Sequence, residues 1–144
     1  MAVRLEYETQ AQCSPEKIWE RFSDVGSWKR WNPSIGGVRW ISGEPWNPGS
    51  RLAMDVVQPR PMTLESEVVA VEVPRTLTLK GKAMGVTAEH TFCFEPLPDG
   101  TTKMRTWQVL SGAATMFISN QMKRTATDIF AQWFEAMRKE AESC

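Results

Sequence analysis

His90 is the only histidine in the chain and so the one side chain whose ordinary pKa lets it trade protons near neutral pH. Val86, Ala88, His90, Phe92 and Phe94 alternate with Thr87, Glu89, Thr91, Cys93 and Glu95, the period of two expected of a strand with one buried face. The histidine falls on the apolar face. An inward imidazole can act as a general acid or base, anchor a ligand, or sit in the core bonded to backbone or water. With no second catalytic group at fixed spacing, the core role leads and the ligand anchor follows. Tyr7, the only tyrosine, shares the inward parity of Val3, Leu5 and Thr9 and could offer its hydroxyl to a ligand or to a buried water. His90 and Tyr7 are the candidate catalytic groups. Farther on, Met104, Thr106, Gln108 and Leu110 alternate with Lys103, Arg105, Trp107 and Val109, which turns Thr106 and Gln108 inward; a bulge would bring Trp107 inside instead.

Inward parity and the first half of the last helical stripe supply the apolar lining candidates. These are Trp31, ahead of the run of strands, and Trp40, Met54, Val56, Met62, Leu64, Leu79 and Phe92 within it, with Phe117, Ile118 and Met122 from the stripe. Taken singly, each is more readily a core residue than a ligand contact. Together with Tyr7, His90, Thr106 and Gln108 they make a few polar groups in an apolar wall, the usual make-up of a small-molecule site. Trp46, in a Pro/Gly loop, is expected at the surface as an entrance gate. Arg60, between two prolines, could meet an anionic group, although a solvated loop arginine is the simpler reading. Nucleophilic catalysis has no motif to stand on, since G-x-S-x-G is absent and every histidine-dependent scheme returns to His90. No phosphate-binding or dinucleotide fingerprint occurs, and no cofactor or metal is expected. Cys13, Cys93 and Cys144 are three in number, widely spaced and without a CxxC pair, which reads as free thiols rather than a disulfide framework or a zinc site.

The elements that must hold these residues are legible. Val3 to Gln10 is a strand by alternation. Ser14-Pro15-Glu16 is a helix start, with an N-cap, a proline at the first position and an acid at the dipole, leading into Ile18, Trp19 and Phe22. Trp28 and Trp31, three apart, sit on a second short helix that Asn32-Pro33 terminates. Six short alternating runs follow, at about Val38 to Ser42, Arg51 to Val57, Met62 to Val73, Thr76 to Lys80, Val86 to Phe94 and Lys103 to Leu110, separated by turn chemistry such as Gln58 to Pro61 and Pro98-Asp99-Gly100. After Gly112 a wide apolar stripe from Ile118 to Met137 predicts a helix of about 25 residues, near 38 Å long. The plan is α+β, a curved antiparallel sheet with its concave face against one helix, and the gap where the two fail to close is a natural cavity.

At 144 residues the chain is expected to be a single domain, residues 1–144. Seventeen basic residues balance seventeen acidic ones, which argues against nucleic acid as a partner. No apolar stretch reaches the roughly 18 residues of a membrane span, so no stable membrane insertion is expected, and the charged start lacks a signal peptide's apolar core. The expected location is cytoplasmic, and the expected state monomer or homodimer.

Ala11-x-x-Ser14-Pro15-x-x-Ile18-Trp19-x-x-Phe22-x-Asp24, then Trp28-x-x-Trp31-x-Pro33, with Gly112 before the final helix, resembles the START-like (SRPBCC) superfamily in its bacterial polyketide cyclase/dehydrase and lipid-transport branch. The resemblance implies a helix-grip fold, seven antiparallel strands wrapped around the C-terminal helix with an internal cavity for an apolar small molecule. Since folds host many functions, three expectations are carried forward. The first is binding or transport of a hydrophobic molecule such as a lipid, isoprenoid or polyketide-like compound. The second is a cyclase or dehydratase using His90 or Tyr7, and the third a protein-interaction module of the chaperone-activator type.

Overall fold

The computed structural model describes residues 2–58, 60–83 and 85–143; Cys144 and Pro59, named above as a thiol and a turn residue, lie outside them. The chain order is β1 (Val3–Ala11), α1 (Pro15–Ser23), a 3-10 turn (Val25–Ser27), α2 (Trp28–Trp31), β2 (Ile35–Ser42), β3 (Arg51–Val56), β4 (Met62–Glu72), β5 (Thr76–Ala83), β6 (Val86–Pro96), β7 (Thr102–Ser111), a second 3-10 turn (Ala113–Phe117) and α3 (Asn120–Glu142). This is the α+β plan expected. The seven strands form one antiparallel sheet in the order β1-β7-β6-β5-β4-β3-β2, so the first strand closes against the last and β1 and β2 are the edges.

Local signals place the helices. Ser14 caps α1 by accepting from the Lys17 amide at 3.4 Å, with Pro15 at the first turn. The long helix begins later than the apolar stripe suggests. Ser119 is its cap, accepting from the Met122 amide at 3.1 Å, and Ile118 before it is extended. A serine competes for backbone donors and starts a helix where it stands, so Phe117 and Ile118 precede α3 rather than form its first turn.

The core is packed with rings at one end. Phe22 of α1 lies 5.1 Å from Trp28, 5.4 Å from Trp46 and 4.8 Å from Phe92 between ring centroids. Trp133 of α3 closes on Trp28 and Phe92, each at 5.3 Å. The C-terminal half of α3 buries Phe130, Trp133, Phe134, Met137 and Ala141, while no residue between Asn120 and Ile129 is fully buried. Half the helix is therefore clamped and half stands off.

Register then grades the sheet's inner face by side-chain size. Leu77 pairs with Phe92 and Phe92 with Thr106; Leu79 pairs with His90 and His90 with Gln108; Gly81 pairs with Ala88 and Ala88 with Leu110. Bulk falls along these rows in the direction in which α3 lifts away. Close packing needs side chains of summed volume equal to the gap, and the last row cannot fill it.

Trp46 is a correction to the expected surface gate. It is buried, with its indole N–H donating to the Ser23 carbonyl at 2.9 Å and its ring 5.0 Å from Trp40. The apolar faces of Trp19, Phe22 and Trp40 draw it in across the loop. Because Phe22 touches five rings, Phe22→Ala should cost about 3–5 kcal/mol in urea denaturation. Phe117→Ala, at a side chain 77% exposed, should change stability by less than about 0.5 kcal/mol.

Candidate functional site

The unfilled region is a cavity of about 320 Å³ between the inner face of the sheet and α3. Met54 and Val56 of β3, Met62 and Leu64 of β4 and Leu79 of β5 form one wall. Gly81, Ala83, Val86 and Ala88 form the low floor, and Gln108 and Leu110 the far side. Ala126, Ile129, Phe130 and Trp133 of α3 are the roof, with Ser34 and Ile35 at one end. Glu65 and Lys82, both exposed, bring the charged groups of the lining to its edge. The volume suits a small organic molecule at the lower end of the usual range of ligand pockets.

His90 sits between the packed rows and the floor. Its ring stacks 4.3 Å from Phe92 and 4.7 Å from Phe130, with Trp133 edge-on at 5.9 Å. Its Nε2 is 2.7 Å from the Thr106 hydroxyl, which in turn donates to the Thr91 carbonyl at 2.9 Å. Burial pushes the imidazole pKa down to about 3, because this apolar setting disfavours the charged form. The ring is thus neutral at pH 7. As a general acid it would be protonated in only about one molecule in ten thousand, a poor match to the rule that a working acid has its pKa near the working pH.

Tyr7 does point inward, but α3 covers it. Its hydroxyl donates to Glu135 at 2.9 Å and its ring meets Phe134 edge-on at 6.3 Å. Glu135 is also held by Arg138, which reaches on to Glu142. Burial, then the Glu135 carboxylate, raise the tyrosine pKa. The phenol is a tie between β1 and α3, and it is not on the cavity wall.

Of the lining candidates, Met54, Val56, Met62, Leu64, Leu79, His90 and Gln108 are on the wall. Others are elsewhere, for reasons the packing supplies. Phe92 is fully buried two rows from the floor, on the far side of His90, and Thr106 is buried beneath His90, which it orients. Trp40 is covered by Trp46. Trp31 turns to the opposite side of α3, donating its N–H to Ser27 at 3.1 Å, where it lines a shallow groove with Gln132 and Glu135. Phe117, Ile118 and Met122 lie before or at the first turn of α3, and Phe117 and Met122 are exposed. Trp107 faces out, under the guanidinium groups of Arg4 and Arg105 at 5.3 and 5.4 Å.

The small floor residues were not singled out from the sequence, although Val86, Ala88 and Leu110 share the parity of His90 and Gln108. Ala126, Ile129, Phe130 and Trp133 were visible in the apolar stripe, but as core. Cys13 and Cys93 are free, and burial raises both thiols, which disfavours the nucleophilic thiolate. Among the described residues no group of three or more His, Cys, Asp or Glu side chains is placed to hold a metal. No helix among them is long and apolar enough to cross a membrane.

A family model described as polyketide cyclase / dehydrase and lipid transport matches residues 2–142. No curated protein matches the chain. Solved structures do. A START superfamily protein from Mycobacterium smegmatis superposes with a TM-score of 0.80 at 18% identity, covering 97% of each chain. A major latex-like protein from Panax ginseng gives 0.82 at 12% identity, again over 97% of each chain. The Zhui aromatase/cyclase from Streptomyces sp. R1128 gives 0.76 at 13% identity, covering 99% of this chain and 94% of that one. At these identities the likeness establishes the fold, the helix-grip arrangement.

His90 being the sole histidine, its titration can be read directly by NMR. The folded pKa of about 3 lies below the ordinary 6.5, so between these values the unfolded chain binds a proton that the folded one refuses. Stability should then be complete above about pH 6.5 and fall by up to about 1.4 kcal/mol per pH unit as the pH drops toward 3. The ring should remain neutral at pH 5; half-protonation near pH 6.5 in the folded protein would contradict the placement of His90.

Proposed function

The chain belongs to the polyketide cyclase / dehydrase and lipid transport family, and from that premise we propose that it binds or carries a hydrophobic small molecule in the cavity between sheet and α3. One observation carries the reading. The inner face of a sheet otherwise packed with rings is left open over about 320 Å³, and its walls are mainly Met, Leu, Val, Ile and Ala side chains with a few polar groups such as His90 and Gln108. An empty apolar space forfeits dispersion contacts and is costly unless something fills it. A ligand that buried its apolar surface there would gain roughly 25 cal/mol per Å². The three methionine and leucine side chains of β3 and β4 on the wall, Met54, Met62 and Leu64, are flexible enough to adjust to a ligand's outline.

The half-clamped helix supports the same reading. The C-terminal half of α3 is fixed by Trp133, Phe134 and Met137, so its N-terminal half can move without unpacking the core. A ligand enclosed between sheet and helix needs such a route. The cyclase or dehydratase alternative would rest on His90 or Tyr7 moving a proton on a bound carbonyl chain, but a ring with a pKa of about 3 is matched to neither acid nor base work near pH 7, and Tyr7 lies off the cavity wall. Turnover of a bound carbonyl chain that His90→Gln abolishes would favour that alternative.

Native and denaturing mass spectra of the freshly purified protein provide the first test. A noncovalent mass that is lost on denaturation and extracts into organic solvent is the expected result. Ala126→Trp, which places an indole in the roof opposite the floor, should reduce that retained mass and the affinity for added apolar probes by at least tenfold while leaving the circular dichroism spectrum unchanged. Full binding in a folded Ala126→Trp protein would exclude this cavity as the site.

A further inference from the structure

Across the middle of the sheet one inward row reads Val68, Leu79, His90, Gln108, Leu5 in register. Two polar residues stand side by side in an apolar row, and both are on the cavity wall. The Thr106 hydroxyl has one hydrogen, and it goes to the Thr91 carbonyl. The 2.7 Å contact between Thr106 and His90 Nε2 therefore needs its hydrogen from the ring. Nε2 is the protonated nitrogen, and Nδ1 is a bare lone pair. Among the described residues neither Nδ1 nor the Gln108 side-chain amide makes a hydrogen bond within the protein. Directly opposed side chains on antiparallel strands start from Cβ atoms about 4.5–5.5 Å apart, so one small group can reach both.

Resting on the cavity-binding reading above, we propose that His90 and Gln108 form the head-group site of the cavity and that its ligand is an uncharged apolar molecule bearing a hydroxyl group, an alcohol or phenol. The hydroxyl donates to His90 Nδ1 and its oxygen accepts from the Gln108 amide. The two requirements select the chemistry. A lone pair at Nδ1 repels a carbonyl or carboxylate oxygen, and the neutral ring gives an anion no counter-charge. A hydroxyl satisfies the Nδ1 acceptor and the Gln108 amide donor with one atom, so neither is left unpaired. The charged groups of the lining, Glu65 and Lys82, are exposed at the edge and leave the middle of the cavity neutral. Thr106 is a positioning residue here, since its bond to Nε2 fixes which nitrogen faces the ligand.

The test compares 2-naphthol with 2-methylnaphthalene, nearly equal in shape and differing in the hydroxyl, by titration against the intact chain with tryptophan fluorescence and His90 15N shifts as readouts. The free protein should show an unprotonated Nδ1, and 2-naphthol alone should move it toward the hydrogen-bonded range. Wild type should prefer 2-naphthol by about five- to tenfold. The preference should fall to about one in His90→Phe, shrink in Gln108→Leu, and persist in Tyr7→Phe, whose ring lies outside the cavity. Should His90→Phe fail to fold, the wild-type 15N shift decides alone, and an Nδ1 signal unmoved by 2-naphthol would overturn the proposal. Equal affinity for the two probes would overturn the head-group site and leave the cavity reading standing. Binding of neither probe would overturn both.

Discussion

A ring cluster joining α1, α2, β6 and the C-terminal half of α3 decides how the helix meets the sheet. Phe22, Trp28, Trp133 and Phe92 form a closed circuit of ring contacts, each touching the next at centroid distances of 4.8 to 5.3 Å. Trp28 is additionally pinned by its indole N–H on the Phe22 carbonyl at 2.7 Å. Aromatic contacts of this kind add to the burial of large side chains. They hold one end of a straight helix against the sheet. A straight rod fastened at one end must separate from a twisted sheet toward the other, and the separation is the cavity.

Much of this was legible because strand parity depends only on the period of the sequence. Alternation placed His90, Gln108, Met54 and Leu79 on the inner face without any tertiary knowledge, and Ser14-Pro15 located the start of α1. Parity says which face a residue takes, but not how far along the strand the covering helix stays close. Phe92 and Ala88 share a face with His90, yet one lies under the ring cluster and the other under the gap. Tyr7 shows the same limit, since its parity is inward but Glu135, which meets it, is 128 residues away.

The remaining differences come from long-range closure and from a cap. Trp46 stands in a loop rich in turn residues, and nothing local announces that its indole will reach Ser23 and pack on Trp40. Phe117 and Met122 continue an apolar stripe, but Ser119 interrupts it as an N-cap. The stripe therefore belongs to two elements, and its first part projects from the surface. Small residues were the least visible signal. Gly81, Ala83, Ala88 and Ala126 matter for the space they do not occupy, and absence of volume has no periodic signature.

Gly81 shows how strictly that space is set. A Cβ at this position would come within 2.7 Å of the Glu65 backbone carbonyl, closer than real Cβ contacts allow, so β4 and β5 approach each other there as larger residues could not. The glycine serves the sheet's own packing and lowers the cavity floor at the same time. Its cross-strand partner Ala88 extends the low row, and His90 one row away is the first side chain tall enough to face a ligand. The position of the polar pair is thus a consequence of side-chain size along the register. It stands where the inner face passes from residues that fill the core to residues too small to do so, which is where a ligand's polar end would meet the protein and its apolar body would extend over the floor.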